Sequence, residues 1–213
     1  MIGLNYLGKL GQLGNQMFQY ATAMSVAHNI GTSFCVPNHN EVFDDGIGNK
    51  LRIELYEVFD IKPDRVGYIP TNNNYQEQDF PFDDRLFKLE GDWNLIGYFQ
   101  TEKYFSHISD KVRKEFTFHE WIREDCDPIT VQFDNPVALH IRRGDYLINS
   151  ANHHNLSLKY YEEALKEFDS DRQVIIFSDD PDWCMEQELF SDDRFEVAQG
   201  IGSHHTLYLM TQC

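Results

Sequence analysis

The chain has 213 residues, enough for one large core or two small domains, and its hydrophobic content of 41% is typical of a folded globular protein. It carries 18 Lys and Arg against 35 Asp and Glu, which gives a formal net charge of −17. This charge argues against binding nucleic acid or an anionic membrane through a broad basic face, so an anionic ligand requires a local cluster of cations.

The cysteines are scattered along the chain without a Cys-x-x-Cys pair, which favours neither a disulfide framework nor a zinc site. They are Cys35, Cys126, Cys184 and Cys213. No apolar run approaches the length of a membrane span, and no basic segment followed by an apolar one opens the chain. We therefore expect a soluble cytoplasmic protein without a transmembrane segment, for which peripheral association with the inner face of a membrane stays open.

The first predicted elements are a strand, a glycine-rich turn and a helix. The apolar run 2–7 predicts the strand, and residues 17–28 place apolar side chains at helical spacing. The glycines between them lack the Gly-x-Gly-x-x-Gly spacing of dinucleotide-binding turns. Gly31 is expected to end the helix, and a second strand is predicted over residues 32–36.

The following part of the chain is less regular. Residues 51–61 predict a short amphipathic helix, and the asparagine-rich stretch 71–74 predicts a loop. A further strand is predicted over residues 93–99. After it, Thr101 is expected to cap a helix that ends at residue 116.

A domain boundary is predicted in the polar segment 120–135, which contains Pro128. We therefore divide the chain into two domains, residues 1–130 and residues 131–213.

A buried strand that ends in charged residues follows this boundary. The apolar run 136–139 predicts the strand, and polar side chains follow it closely. They are His140, Arg142, Arg143 and Asp145. Because ligands of open α/β sheets bind beyond the carboxyl ends of the strands, we expect a ligand here. Two neighbouring guanidinium groups suit a diphosphate, since each can pair bidentately with phosphate oxygens, and Gly144 permits a sharp turn after them.

A second polar group follows the next predicted strand, residues 173–177. The segment Asp180-Pro181-Asp182 matches the Asp-x-Asp pattern that holds a divalent metal against a nucleotide sugar. A helix start explains the same residues better, with Asp180 as the cap and Pro181 at the first helical position. The two His-His pairs of the sequence lack a third ligand at a suitable spacing. We therefore predict no metal site, and Asp179 is the better candidate for contacting a ligand.

The remaining elements continue the same alternation. Ser157 is predicted to cap a helix, residues 195–198 form a short strand, and a last helix begins at Ser203. Strands that alternate with helices indicate an α/β protein with mainly parallel sheets.

Several segments together resemble a known family. The N-terminal segment reads GQLGNQMFQYA (11–21), and the arginine segment reads HIRRGDY (140–146). The others cover residues 97–105, 156–161, 177–183 and 207–213. In this order, they resemble the signature segments of glycosyltransferase family 11, the α-1,2-fucosyltransferases. The arginine segment is similar to a motif shared by α-1,2-, α-1,6- and protein O-fucosyltransferases.

This resemblance implies a GT-B-like fold of two Rossmann-like domains that face a cleft. The first domain would lie on the acceptor side, and the second would bind GDP-fucose. The implied reaction moves fucose from GDP-β-L-fucose to the 2-hydroxyl of a galactoside glycan, with inversion and without a metal or other cofactor. Asn15 would face the donor across the cleft.

The resemblance also implies roles for the charged segment. Arg142 would bind the β-phosphate, and Arg143 would support the loop or the same phosphate. His140 and Asp179 would lie near the guanine. Asp145 would brace the arginine loop. The resemblance assigns no general base for the acceptor hydroxyl and no carboxylate stands out in the sequence, so Asp145 is our candidate for that role.

In the family, further elements follow the segment that resembles residues 207–213. The second domain is therefore expected to be incomplete at Cys213. Two alternatives stay open: a transferase that uses another nucleotide sugar, and a non-catalytic remnant that binds sugar nucleotide without turnover. No pattern in the sequence identifies the acceptor glycan, because acceptor-side loops vary.

Overall fold

The computed structural model describes residues 1–46, 48–148 and 153–213, and the chain forms two compact units, Met1–His119 and Glu120–Cys213. The sequence placed the division after residue 130 instead. The expected linker is mostly a helix, Glu120–Thr130, which belongs to the second unit. Its Ile122 and Cys126, one helical turn apart, are both buried, and this apolar stripe outweighs the polar composition of the segment.

The first unit is built on a five-stranded sheet. In chain order, the strands of this unit are β1 (Ile2–Gly3), β2 (Phe34–Val36), β3 (Phe43–Asp44), β4 (Lys50–Leu51), β5 (Arg65–Val66), β6 (Asn74–Gln76) and β7 (Trp93–Ile96). The sheet has the order β5-β2-β1-β7-β6 with every pairing parallel, while β3 and β4 form a separate antiparallel pair. The strand order therefore reverses between β1 and β7, and ligands of open parallel sheets bind at such a position.

Helices α1 (Leu13–Asn29), α2 (Leu55–Val58) and α3 (Ser109–Glu115) complete the first unit, together with short 3-10 turns. Helix α1 begins before its predicted start at residue 17 because a distant carboxylate caps it. Glu54 Oε2 accepts the Leu13 N–H at 3.0 Å, whereas the side chain of Gln12 makes no cap bond. The buried Gln16 amide donates to the Arg52 carbonyl at 2.7 Å and so joins the same two segments.

Three local predictions in this unit are corrected. The strands predicted over 2–7 and 93–99 end early, at Gly3 and Ile96, because the chain turns beyond both residues. The predicted loop around 71–74 leads directly into strand β6, which pairs with β7 and was not predicted. The helix predicted over 51–61 is reduced to the single turn α2.

The helix predicted over residues 101–116 is also broken. Thr101 caps its first turn by accepting the Lys103 N–H, as predicted, but only 3-10 turns and the short helix α3 follow. The Ser25 hydroxyl donates to the Tyr104 carbonyl at 2.6 Å. That carbonyl is the acceptor which an α-helix would offer to Ile108, whose N–H bonds to Phe105 instead.

The second unit is built on a three-stranded parallel sheet of order β10-β9-β8. Its strands are β8 (Val137–Ile141), β9 (Val174–Ser178) and β10 (Phe195–Val197). Its helices are α4 (Glu120–Thr130), α5 (Gly144–Ile148), α6 (Leu158–Leu165), α7 (Pro181–Met185) and α8 (Ser203–Met210). Strand β9 is apolar and buried from Val174 to Phe177, as predicted, and ends at Ser178. Val174 and Ile176 pack in one core cluster with Tyr161 of α6 and Cys184 of α7.

These two units confirm the predicted α/β class with mainly parallel sheets. The last helix begins at Ser203, as predicted, whereas Ser157 occupies the cap position of α6 without a side-chain cap bond. Within the described ranges, no helix is long and apolar enough to cross a membrane.

Candidate functional site

The polar residues after β8 and β9 meet at one edge of the second unit's sheet. The two strands are parallel neighbours, and Ile141 at the end of β8 pairs with Ser178 at the end of β9. The segments that leave them, residues 142–145 and 179–180, therefore lie beside each other. The structure thus brings Arg142, Arg143, Asp145 and Asp179 together, at the position where parallel sheets bind ligands.

Arg142 lies between two carboxylates. Its Nε donates to Oδ1 of Asp145 at 3.0 Å, and its Nη2 lies 2.8 Å from the same oxygen. Its Nε also lies 3.1 Å from Oδ2 of Asp179. About a third of the side chain (33%) is exposed, and Nη1 donates no hydrogen bond within the part of the chain that the structure describes. The carboxylates therefore orient the guanidinium and leave one of its edges available.

Arg143 is held more completely. Its Nε donates to Oδ2 of Asp180 at 2.9 Å, and its guanidinium carbon lies 3.8 Å from the centroid of the Trp183 ring. Its backbone N–H donates to Oδ1 of Asp179 at 2.8 Å. An ion pair and a cation–π contact thus tie the loop after β8 to helix α7.

Asp180 caps helix α7, as the sequence predicts. Its Oδ1 accepts the Trp183 N–H at 3.3 Å, and Pro181 occupies the first helical position. Its own N–H donates to the Ser178 hydroxyl at 3.0 Å. The two oxygens of the Asp180 carboxylate are therefore occupied by the helix cap and by the ion pair with Arg143. Among the described residues, no group of three or more His, Cys, Asp and Glu side chains is arranged to hold a metal ion.

Gly144 is needed for space and not for a turn. The sequence predicts a sharp turn at this glycine, but Gly144 is the first residue of α5 and its φ lies outside the left-handed region. A Cβ at this position would lie 2.7 Å from Oδ2 of Asp179 and 3.3 Å from its Cγ. The absent side chain therefore lets the Asp179 carboxylate reach both arginines.

His140 stands near the end of β8, paired with Phe177 of β9. The residue is exposed, but the protein atoms crowded around its ring hold its pKa below the ordinary 6.5. The Arg142 guanidinium lowers the pKa further, while Asp179 acts in the opposite direction. His140 is therefore neutral at pH 7, with one ring nitrogen as donor and the other as acceptor.

We expect an NMR titration of the His140 ring to give a midpoint below 6.5. In Arg142→Gln the midpoint should rise, because a repelling cation is lost, but it should stay below 6.5, because the crowding around the ring remains. The control Arg113→Gln, which changes an exposed arginine of the first unit, should leave the midpoint unchanged. An unchanged midpoint in Arg142→Gln would show that the guanidinium does not act on the ring.

Asn15 lies in the first unit, in the first turn of α1. Its Oδ1 accepts a hydrogen bond from the Gln100 amide, which follows β7. Gly11 has φ +76°, and a Cβ there would lie 2.1 Å from Nδ2 of Asn15, so only glycine fits. The missing side chain of Gly11 thus leaves room for the Asn15 side chain at the carboxyl side of the first unit's sheet.

Two residues that the sequence analysis left without a role hold these loops in place. Trp183 provides the surface on which Arg143 lies, although its only sequence signal is its place in the segment 177–183. Glu77 accepts the N–H groups of Tyr98 at 2.7 Å and of Phe99 at 3.1 Å, and Phe99 has φ +52°. No sequence pattern announces Glu77, because its partners are backbone groups of another loop.

Comparison with known proteins identifies the family. A family model described as glycosyl transferase family 11 matches residues 2–213. The chain is 28% identical to an alpha-1,2-colitosyltransferase of Escherichia coli over 94% of this chain and 78% of that protein. It is 27% identical to the galactoside 2-alpha-L-fucosyltransferase SEC1 of Bos taurus over 99% of this chain and 60% of that protein. The chain thus spans less than two thirds of the length of the bovine relative.

Solved structures show the same fold. The crystal structure of NodZ alpha-1,6-fucosyltransferase co-crystallized with GDP matches with a TM-score of 0.53 and 10% identity, over 98% of this chain and 83% of that one. The structure of fucosyltransferase NodZ from Bradyrhizobium matches with a TM-score of 0.51 and 11% identity, over 99% and 81%. The fold is therefore GT-B-like, as the resemblance implies. Together with the family match, it shows that this chain is a glycosyltransferase that belongs to glycosyl transferase family 11.

Proposed function

We propose that this protein is a galactoside α-1,2-fucosyltransferase, which transfers L-fucose from GDP-fucose to the 2-hydroxyl of a galactose-containing glycan with inversion. The observation that carries the proposal is the Arg142 guanidinium, which Asp145 and Asp179 orient at the carboxyl end of β8. The bovine relative, a galactoside 2-alpha-L-fucosyltransferase, supports it, and so do the NodZ alpha-1,6-fucosyltransferase structures obtained with GDP and with GDP-fucose.

The proposed chemistry depends on stabilising the leaving group. As the bond from the fucose to the diphosphate breaks, negative charge grows on the phosphate oxygens, and the sugar becomes oxocarbenium-like. A guanidinium that is oriented in advance stabilises this charge without reorganising during the reaction. In this proposal Arg142 binds the β-phosphate. Arg143, already held by Asp180 and Trp183, supports the loop.

The other assignments follow the family resemblance. A neutral His140 can donate and accept hydrogen bonds, which suits the edge of a guanine, and in this proposal Asp179 lies near the same base. Asp145 braces Arg142 and is retained as the general base for the acceptor hydroxyl. Asn15 of the first unit is retained as a substrate-binding residue.

A second candidate is transfer of colitose instead of fucose. The match to the E. coli alpha-1,2-colitosyltransferase covers 78% of that protein's own length, against 60% for the bovine fucosyltransferase. Assays with GDP-fucose and with the corresponding nucleotide-activated colitose, at equal concentrations, separate the two candidates.

The test of the proposed function is an acceptor-dependent assay of GDP release. With GDP-fucose and a β-galactoside, we expect GDP to be released only when both substrates are present. NMR of the product should show an α-1,2 linkage. GDP binding without any release would identify a non-catalytic protein that binds sugar nucleotide, and a different linkage would contradict the proposed reaction.

We further expect transfer to be independent of divalent metal. The arginines can supply the charge that the diphosphate needs, and Asp180 of the Asp-x-Asp segment is committed to the start of α7. Initial rates with excess EDTA should therefore equal those of the untreated enzyme. Loss of activity on chelation, restored by Mn²⁺ or Mg²⁺, would refute this expectation.

A further inference from the structure

A cavity of about 260 Å³ lies beyond the carboxyl ends of β6 and β7 in the first unit. Its walls include Glu77 and Asp79 from the loop after β6, Tyr98 from the loop after β7, and Leu10 from the turn after β1. The strand order of the sheet reverses between β1 and β7, so this cavity lies at the carboxyl edge of the sheet, on the β7 side of the position where open parallel sheets bind ligands. None of the residues discussed for the diphosphate lines it.

The chemistry of the walls excludes an anionic ligand. Among the described residues that line the cavity are two carboxylates, Glu77 and Asp79, and two amides, Gln76 and Gln78, but no Lys, Arg or His. Phosphate groups would be repelled there. Hydroxyl groups would be accepted, because carboxylates accept hydrogen bonds from hydroxyls and amides both donate and accept.

The same walls offer flat apolar surface. Phe80 is 69% exposed, although a phenylalanine side chain gains free energy by leaving water, and the Tyr98 ring lies on the other loop of the cavity. Polar groups combined with aromatic faces suit a sugar ring, which has hydroxyls at its rim and C–H groups on its faces. The volume lies just below the about 300–1,000 Å³ of clefts for drug-sized ligands, so one sugar ring is the appropriate size.

The cavity is formed in advance by a contact between its two loops. Both carboxylate oxygens of Glu77 are within 3.1 Å of the Phe99 N–H, and Oε2 also accepts the Tyr98 N–H at 2.7 Å. A Cβ on Gly97 would lie 2.5 Å from Cβ of Glu77, so only glycine permits this approach. In contrast, Asp79 and the Tyr98 hydroxyl have no hydrogen bond to any described residue. Glu77 therefore holds the loops, and Asp79 and Tyr98 are available to a ligand.

A neighbouring cavity of about 240 Å³ provides a contrast. It shares Glu77 and Asp79, but the polar groups on its far side bond to one another. The Asp83 carboxylate accepts a hydrogen bond from the Tyr75 hydroxyl and forms an ion pair of 2.6 Å with Arg85. These groups satisfy each other, so this second cavity is less suited to a polar ligand.

We propose that the first cavity is a binding site for one ring of a neutral saccharide, with Asp79 and Tyr98 as hydrogen-bonding partners and Phe80 as the stacking surface. This inference rests on the proposed function, because it makes the first unit the part of the chain that takes the neutral acceptor. The residues that form this saccharide site are all different from those of the arginine segment.

The binding test uses saturation-transfer NMR of methyl β-galactoside with the full chain, and separately measures GDP binding by calorimetry. We expect saturation transfer from the protein to the galactoside at millimolar concentrations. The signal should be lost in Phe80→Ala and weakened in Asp79→Asn, while both variants bind GDP like the unchanged protein. The control Asp110→Asn, an exposed carboxylate on α3 away from the cavity, should retain both signals.

The two failures are distinguishable. If GDP binds and the galactoside shows no saturation transfer, or shows equal transfer in Phe80→Ala, this inference is overturned while the proposed function stands. If the galactoside signal depends on Phe80 and Asp79 while GDP does not bind, the saccharide site is supported and the proposed donor is not.

Kinetics give a second readout. In Asp79→Asn the KM for the galactoside should rise about 3- to 10-fold, the range expected for one weakened hydrogen bond, with the KM for GDP-fucose unchanged. A fall in kcat with both KM values unchanged would overturn a binding role for Asp79.

Discussion

Replacing Arg142 with alanine is expected to reduce kcat about 10²- to 10³-fold, which corresponds to about 3–4 kcal/mol of transition-state stabilisation. Two carboxylates orient this guanidinium at the end of β8, and its Nη1 donates no hydrogen bond to any residue that the structure describes. Its loss would leave the departing diphosphate without its oriented donor, and it would leave Asp145 and Asp179 without their shared cation. Initial rates of GDP release at saturating substrates measure the effect.

Arg142→Lys should not restore the rate. A lysine keeps the charge, but it cannot pair with Asp145 and Asp179 through a planar fork and present a second edge to a phosphate. Arg113→Ala is the matched control. Arg113 is exposed, and its ion pair with Asp110 is long, at 3.8 Å, so the pair contributes little to stability. Thermal unfolding of each variant separates loss of catalysis from loss of folding. A lysine variant with near-normal turnover would remove the bidentate role from the proposal.

Gly144→Ala is expected to reduce activity about 10- to 100-fold while the protein stays folded, with a loss of no more than about 3 kcal/mol in the free energy of unfolding. The added Cβ would meet Oδ2 of Asp179 at 2.7 Å, and this carboxylate has room to rotate away because it is the end of a side chain. Moving it breaks its contact with the Arg142 guanidinium and its hydrogen bond from the Arg143 N–H. Charge-assisted hydrogen bonds of this kind contribute about 1.5–3 kcal/mol.

The control for this substitution is Gly202→Ala in the same unit. A Cβ on Gly202 would meet only the His205 ring, at an ordinary contact distance of 3.4 Å. Activity and the midpoint of thermal unfolding should both remain near those of the unchanged protein. If Gly144→Ala unfolds at a much lower temperature, the effect is one of packing. If it keeps full activity, the position of Asp179 has no part in donor binding.

The candidate site was largely predictable because it depends on local order along the chain. Apolar runs followed directly by polar residues predict strand ends, and parallel strands bring their carboxyl ends to one edge. That reasoning marked Arg142 with Asp145, and separately Asp179, as groups that face a ligand, and the structure brings the two groups together. The Asp180-Pro181 pair also predicted the start of α7. Each of these features requires information from only a few neighbouring residues.

The remaining features could not be predicted because distant partners determine them. Strand β6 begins in an asparagine-rich stretch of low strand propensity, and its pairing with β7 forms it, with a side-chain bond of 2.9 Å between Asn94 and Asn74. The hydroxyl of Ser25 interrupts the helix predicted over residues 101–116. The contact between Gly144 and Asp179 depends on side-chain positions that no sequence pattern specifies.

The capping of α1 by Glu54 has a consequence for the order of events during synthesis. The Leu13 N–H and the Glu54 carboxylate are 41 positions apart in the sequence. At the usual rate of about 5–20 residues per second, the ribosome adds Glu54 about 2–8 s after Leu13. During that interval the first turn of α1, which contains Asn15, lacks its cap and frays. The N-terminal turn therefore acquires its final geometry only when the segment that begins α2 has emerged, so the first unit matures as a whole and not from its N-terminus onward.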